Sequence, residues 1–256
     1  MTITAIAFDM DGTLTPAKDH PSDKMAKLFV QLLKKYRVAI ISGASFEQFQ
    51  GKFLNHLNLD SDLASRLLLL PTTGSVIYEY RNTWSVLEEH FLSEGERKNI
   101  IEVLTQCMDE FKVKRLPDVT RQIDDRKSQV TFSGCGQNAS ESERATFDPH
   151  RALRLKMAEY MRPKLPYFEV CVAGSTSIDI TRKDLNKASA MRRIVELWDL
   201  RRTEIVFIGD AMTETGNDYS VLMAGFLTKY VKNHLETESW LSNLVCNLQN
   251  HEISRS

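Results

Sequence analysis

Several features that assign a protein to a broad class are missing from this sequence of 256 residues. No apolar run approaches the roughly 18 residues of a membrane-spanning helix, so we expect no membrane partner. The formal net charge is −1 and no block of lysine and arginine occurs, which argues against a nucleic-acid partner. The first ten residues have the pattern of a strand, which is not what a signal peptide shows.

Cysteine is also scarce, and none of the six histidines lies in a metal-ligand pattern. The four cysteines are widely separated and form no CxxC pair: Cys107, Cys135, Cys171 and Cys246. Two disulfides are possible in principle, but reduced thiols are the favoured interpretation. We therefore expect a cytoplasmic protein.

The residues that are present are typical of a globular protein, with 42% hydrophobic and 26% charged residues. This length suits one large domain or two small ones. Residues 3–8 and 38–41 have the pattern of buried strands, and Ser22 can cap a helix between them. Strand, helix, strand and helix with short links predict a doubly wound, Rossmann-like parallel sheet of the α/β class.

The pattern changes near residue 84 and returns to the first style in the last third of the chain. Residues 128–134 alternate between polar and apolar as an antiparallel strand does, and a helical pattern begins at Pro149. We therefore predict an inserted α+β domain. The predicted boundaries are 1–83 and 183–256 for the α/β core, and 84–182 for the insertion.

Acidic side chains follow two predicted core strands. Asp9 and Asp11 follow the first strand, while Asp210 and then Asp218 follow a late one. Ser42 follows another strand, and ligands bind beyond the carboxyl ends of the strands in open parallel sheets. Hard oxygen ligands in this number suit Mg²⁺ better than a soft metal. Any single carboxylate could be a simple helix cap, but so many in one crevice indicate a metal or a phosphoryl group.

Four segments in this order resemble the motifs of the haloacid dehalogenase (HAD) superfamily. They are "DMDGTLT" at residue 9, "ISGAS" at residue 41, "LNKASAM" around Lys187 and "GDAMTETGND" at residue 209. The resemblance spans nearly the whole chain. The insertion between the second and third motifs resembles the α/β cap of the subclass that includes many sugar phosphatases.

The resemblance implies a phosphotransferase in which Asp9 attacks phosphorus and forms an aspartyl-phosphate. Asp11 would protonate the leaving oxygen and later activate water. Lys187 would neutralise charge on the phosphate and on the nucleophile, so that two anions can approach.

The same resemblance gives the neighbouring residues roles in holding the phosphoryl group and Mg²⁺. Gly12 would allow a sharp turn, and Thr13, Ser42 and Gly43 would contact the phosphate. The implied metal ligands are Asp9, the backbone carbonyl of Asp11 and Asp210, with Asp218 either as a further ligand or as a support for the ligands. The long fourth motif leaves the choice among Glu214, Asn217 and Asp218 open.

The inserted domain resembles the cap of eukaryotic-type phosphomannomutases, in which three arginines, a serine and an aspartate bind the distal phosphate and the sugar. Arg126 and Arg144 match the first and third arginines, and Ser177 and Asp179 match the final pair. Gln137 stands in place of the middle arginine. Glutamine has a neutral amide, whereas arginine has a charged guanidinium that can donate two hydrogen bonds. The replacement weakens phosphate binding by on the order of 1.5–3 kcal/mol.

Three functions follow from these residues. The favoured one is Mg²⁺-dependent hydrolysis of a small phosphorylated sugar or related metabolite, because a phosphatase does not need a strong second phosphate site. A phosphohexomutase would use the same core residues. The third is a non-catalytic ligand-binding protein. Such a protein would have no need for mutually repelling acids such as Asp9 and Asp11 side by side. The family resemblance also implies a possible homodimer through the cap.

Overall fold

The computed structural model describes residues 2–17, 19–118, 122–136 and 139–253, with side chains described as far as residue 247. The chain divides into two compact units, the core (Met1–Glu88 with Lys187–Ser256) and the cap (Glu89–Asn186). The boundaries predicted from the sequence, after residues 83 and 182, lie a few residues earlier. The first one differs because strand β5 (Trp84–Glu89) extends the core sheet by hydrogen bonding to its neighbour.

The core contains a seven-stranded sheet with the order β11-β10-β1-β2-β3-β4-β5, numbered along the whole chain. Its other strands are β1 (Ala5–Phe8), β2 (Arg37–Ile41), β3 (Leu67–Leu70), β4 (Val76–Tyr80), β10 (Ile205–Gly209) and β11 (Leu227–Tyr230). The five strands from β11 to β3 are parallel, and β4 pairs with β3 antiparallel. Strand β1 lies at the centre of the parallel part, as its continuous burial requires.

Apolar side chains cover both faces of this sheet. Ile6 and Phe8 of β1 belong to one buried cluster, while Ala5 and Ala7 belong to another. Helices connect the strands, as a doubly wound sheet requires. They are α1 (Asp23–Leu33), α2 (Phe46–Lys52), α3 (Ser61–Ser65), α7 (Lys187–Leu197), α8 (Tyr219–Met223) and α9 (His234–Ile253).

The predicted cap of helix α1 is confirmed, because the Ser22 side chain accepts a hydrogen bond from the backbone N–H of Met25. That bond satisfies one of the donors that a helix start leaves free.

The cap contains a four-stranded antiparallel sheet with the order β6-β7-β9-β8. Its strands are β6 (Ile123–Asp125), β7 (Val130–Ser133), β8 (Phe168–Ala173) and β9 (Ser177–Arg182), and its helices are α4 (Glu94–Glu110), α5 (Glu141–Phe147) and α6 (Ala152–Met161). Alternate residues such as Val130 and Phe132 join an apolar cluster with residues of α4 and α6. In the described chain, no helix has both the length and the apolar character needed to cross a membrane.

The start of α6 differs from the sequence prediction, which placed Pro149 in its first turn. The helix begins at Ala152, after Arg151 adopts a left-handed conformation with φ 58°. The Asp148 carboxylate accepts hydrogen bonds from the backbone N–H groups of Leu153 and Arg154, at 3.2 and 3.1 Å. This carboxylate satisfies the free donors of the first turn and therefore fixes the helix start beyond the proline.

Candidate active site

Three side chains follow directly on parallel strands of the core. Asp9 follows β1, Ser42 follows β2 and Asp210 follows β10. The register pairs Phe8 of β1 with a residue near the end of each neighbouring strand. The three positions therefore lie at one edge of the sheet, which is where open α/β sheets bind ligands.

Lys187 connects two of the acids from the first residue of α7. Its Nζ donates to Asp9 Oδ1 at 2.5 Å and to Asp218 Oδ1 at 2.6 Å. Lys187 and Asp218 are fully buried, and Asp9 is 5% exposed. An ammonium in such a place must be paired, because an unpaired charge in the interior is costly. The structure thus brings together the lysine and two of the acids singled out in the sequence.

Burial and charge act in opposite directions on the ionisation of this group. Burial raises the pKa of Asp9 well above its usual range, and the charge of Lys187 only partly opposes that rise. Burial and the charge of Asp218 also raise the pKa of Asp210. Burial alone would lower the pKa of Lys187, but the charges of Asp218 and Asp9 raise it, so the lysine remains an ammonium.

The long segment after β10 contains Glu214, Asn217 and Asp218, the three candidates for the remaining site residue of the fourth motif. Asp218 is buried, whereas Glu214 and Asn217 are exposed. Carboxylate oxygens of Asp9, Asp210 and Asp218 lie within 4.8 Å of one another, a spacing that could hold a metal ion. Asp218 is already engaged through both oxygens, because its Oδ2 accepts from the backbone N–H of Ala211 at 2.9 Å.

The turn after Asp9 places the remaining residues of the first motif. Gly12 has φ 91°, and a Cβ atom there would lie 2.4 Å from Asp210 Oδ2, so only glycine fits. Thr13 is buried, and its hydroxyl donates to Asp210 Oδ1 at 3.1 Å. The Asp11 side chain is 31% exposed, and its Oδ1 lies 3.8 Å from Lys52 Nζ. Asp11 is thus the more accessible of the two acids of the motif.

The second motif forms a buried loop. Ser42 is 3% exposed, and its hydroxyl accepts from the backbone N–H of Ala44 at 3.1 Å, with Gly43 between them. The Ser42 carbonyl accepts from the backbone N–H of Thr73, at 2.8 Å. Ser42 and Gly43 therefore belong to a well-defined loop at the carboxyl end of β2.

The cap residues singled out in the sequence lie partly on one sheet. Ser177 pairs with Ser133 across β7 and β9, and Asp179 pairs with Thr131, whose hydroxyl donates to Asp179 Oδ1 at 2.9 Å. These side chains lie on the sheet face opposite the apolar cluster, which we call the polar cap face.

The two cap arginines have different surroundings. Arg126 Nε donates to Asp124 Oδ2 at 2.6 Å, so an adjacent carboxylate compensates its charge. Arg144 lies on α5, and its Nε is buried without a hydrogen bond in the described chain. Gln137 lies outside the described residues.

Sequence reasoning missed Gln129 and Thr131 of the polar cap face. Gln129 is fully buried, its Nε2 donates to the Thr131 hydroxyl at 2.8 Å, and its Oε1 has no partner among the described residues. The alternation of residues 128–134 could have identified both, since side chains that alternate with core residues must share the opposite face.

A parallel α/β core with an added antiparallel domain, and a buried lysine among carboxylates at the strand ends, define a phosphotransferase-type enzyme of the HAD fold. The family model described as haloacid dehalogenase-like hydrolase matches residues 6–225, and the chain belongs to this family.

Similar sequences and structures agree with this assignment. A probable phosphomannomutase of Caenorhabditis elegans is 24% identical over 229 residues, covering 85% of each chain. A phosphomannomutase of Encephalitozoon cuniculi is 27% identical over 238 residues, covering 85% of this chain and 84% of that one.

Two solved structures share the fold. The N-terminally truncated IMP-nucleotidase of Plasmodium falciparum superposes with a TM-score of 0.71 and 18% identity, covering 94% of this chain and 70% of that one. A haloacid dehalogenase-like hydrolase of Bacteroides thetaiotaomicron gives a TM-score of 0.66 and 13% identity, covering 95% and 100%. At these identities the two structures are evidence of fold alone.

Proposed function

We propose that this protein is a Mg²⁺-dependent phosphatase that hydrolyses a small phosphorylated sugar or related metabolite through a phosphoryl group carried on Asp9. One observation supports this most strongly: a buried aspartate at the end of the central strand is hydrogen-bonded to a buried lysine, with a second, accessible aspartate two residues later. Such a pair separates the roles of nucleophile and proton carrier between two carboxyl groups.

The donor set fits a divalent cation. Three carboxylates and one ammonium lie together, and when all are ionised they leave a net charge of −2 in a largely buried place. Asp9, Asp210 and the carbonyl of Asp11 would hold the ion. Asp218 would support the site through Lys187 and Ala211, because both of its oxygens are engaged. When bound, Mg²⁺ would neutralise charge on the phosphoryl oxygens.

In the first step, a carboxylate oxygen of Asp9 attacks phosphorus while the ester P–O bond breaks. The Asp11 carboxyl gives its proton to the leaving oxygen, which departs as an alcohol. Lys187 keeps the buried Asp9 oriented and favours its ionised form, since the ammonium opposes the effect of burial. Thr13, Ser42 and the backbone around Gly12 and Gly43 would bind the phosphoryl oxygens.

In the second step, the Asp11 carboxylate takes a proton from water while the water oxygen attacks phosphorus. The bond between phosphorus and Asp9 breaks, which returns the Asp9 carboxylate and releases inorganic phosphate. The accessibility of Asp11 suits it to a group that must meet first a leaving group and then water.

The charge on the polar cap face favours hydrolysis over mutase activity. A mutase must bind a sugar bisphosphate by either end, but the guanidinium of Arg126 is already paired with Asp124. The hydroxyl of Ser177 and the carboxylate of Asp179, both partly exposed, suit sugar hydroxyl groups. We therefore assign Arg126, Arg144, Ser177 and Asp179 to the non-reacting part of the substrate, with Gln137 in the position of a missing arginine.

A phosphohexomutase is the second candidate, because the curated relatives named above are phosphomannomutases. A non-catalytic binding protein is the third candidate, and the paired carboxylates argue against it. A cytoplasmic location and a homodimer through the cap remain part of the proposal.

The decisive assay incubates the protein and Mg²⁺ with mannose and glucose 1- and 6-phosphates, with and without a hexose bisphosphate. ³¹P NMR follows phosphate release and positional isomerisation together. We expect release that disappears in Asp9→Asn. Isomerisation without release would favour the mutase, and binding without either reaction would favour the non-catalytic protein.

A further inference from the structure

The loop between β3 and β4, residues 71–75, has an unusual backbone. Thr72, Thr73 and Gly74 have φ values of 47°, 62° and 87°. Glycine adopts this left-handed region freely, but a β-branched residue such as threonine does so only under strain. Two consecutive threonines in this region indicate that the surrounding structure holds the loop in place.

Hydrogen bonds join this loop to the second motif. The backbone N–H of Thr73 donates to the carbonyl of Ser42 at 2.8 Å, and that of Thr72 donates to the carbonyl of Ala44 at 2.9 Å. Within the loop, the hydroxyls of Thr72 and Ser75 are 2.6 Å apart. Thr72 and Ser75 are buried, so water cannot substitute for the hydrogen bonds that these two residues make.

The opposite side of the loop contacts the helix that carries Lys187. A Cβ atom on Gly74 would lie 2.5 Å from the Cβ of Ala190 and 3.4 Å from its Cα. Ala190 is 3% exposed and lies three residues after Lys187 on α7, on the same helix face. Because an alanine side chain cannot move aside, any atom added to Gly74 must displace the backbone of the loop or of α7.

We propose that the 71–75 loop is a positioning element that sets the distance between Ser42 and Lys187, with Gly74 as the residue that fixes it. The inference rests on the proposed function, in which Ser42 binds the phosphoryl group and Lys187 orients the aspartate that attacks it. A connection between two adjacent antiparallel strands does not require strain. Here the strained residues are those that bond to the second motif and precede the contact with α7.

The test replaces Gly74 with alanine and uses Gly225→Ala as the matched control. Gly225 also has a positive φ, of 75°, but nothing lies within 4 Å of an added Cβ. Both variants therefore carry the same kind of backbone strain, and only Gly74→Ala forces the loop and α7 apart. A third variant, Gly74→Ala with Ala190→Gly, restores the space while keeping the strain.

Two measurements are made in the full-length protein with Mg²⁺. These are kcat and KM for the substrate found in the phosphatase assay, and the affinity for inorganic phosphate by titration calorimetry. We expect Gly74→Ala to lower kcat by up to about 100-fold, as displacements near 1 Å can do. It should also weaken phosphate binding, whereas Gly225→Ala should change neither. The double variant should recover most of the lost rate and affinity although it stays less stable.

The inference is wrong if Gly74→Ala behaves like Gly225→Ala, or if Ala190→Gly restores neither quantity. If Gly74→Ala does not fold, Ala190→Val applies the same pressure from the helix side. Full rate and full phosphate affinity in that variant would also overturn the inference. If wild-type protein releases no phosphate from any sugar phosphate, the proposed function fails, and the phosphate affinities alone decide the positioning role.

Discussion

Replacing Lys187 with methionine leaves Asp9 and Asp218 without the ammonium that both now contact, at 2.5 and 2.6 Å. Methionine has a similar length, so the change removes charge more than volume. Removing one partner of a buried ion pair costs about 3–5 kcal/mol, because the remaining charge stays buried without compensation. Asp9 can relieve part of this cost by taking up a proton, since burial already raises its pKa. We therefore expect the lower end, about 3 kcal/mol.

For a unit of this size, such a loss corresponds to a fall in Tm of about 6–12 °C. Thermal unfolding in EDTA measures it without interference from bound metal. Lys27→Met, at an exposed position of α1, is the control and should change Tm by no more than about 2 °C. Adding Asp218→Asn to Lys187→Met removes one uncompensated charge and should recover part of the loss. A fall in Tm no larger than that of the control would show that the pair does not stabilise the core as we infer.

Two further predictions concern a glycine of the site and an acid of the cap. Gly12→Ala should abolish most phosphatase activity in a steady-state assay, because the added Cβ would lie 2.4 Å from Asp210 Oδ2; near-normal turnover would contradict this geometry. Burial alone raises the pKa of Asp148, but hydrogen bonds from the N–H groups of Arg154 and Leu153 and from the Arg154 guanidinium lower it overall. A lowered folded-state pKa contributes stability above the unfolded value, near 4, and that stability is lost as pH falls through the folded value. The difference in Tm between wild type and Asp148→Asn should therefore shrink below about pH 4, and a pH-independent difference would refute it.

The parts of the site that the sequence could predict are those set by local pattern. Asp9 follows a continuous apolar strand, and a serine precedes the periodic residues of α1, so both features are visible over a few residues. The core fold follows from strands alternating with helices, which short-range periodicity also reveals.

The remaining features depend on contacts between distant residues. Only its burial beside Lys187, thirty-one residues earlier in the chain, distinguishes Asp218 from Glu214 and Asn217 as a residue of the site. The pairing of Trp84–Glu89 with the core sheet depends on a neighbouring strand, and the start of α6 depends on the Asp148 carboxylate. Local sequence patterns cannot predict these three features, because each depends on which group pairs with a buried charge or a backbone hydrogen-bond donor.

The left-handed loop at Thr72 and Thr73 is the clearest case. Threonine rarely adopts a left-handed conformation, so its local preference predicts a different backbone conformation at these two positions. Such disagreements between local preference and observed structure are expected where function constrains the chain.

The central claim is that Asp9 carries the phosphoryl group during turnover. We would acid-quench Asp11→Asn during reaction with Mg²⁺ and p-nitrophenyl phosphate, because the nitrophenolate leaves without a proton from Asp11 in the first step. The variant still lacks the group that activates water in the second step. Mass spectrometry of the peptide containing Asp9 should then show the added mass of one phosphoryl group, and the addition should be missing from Asp9→Asn. Phosphate release by wild type with no phosphoryl group on that peptide, or sustained turnover by Asp9→Asn, would contradict the account.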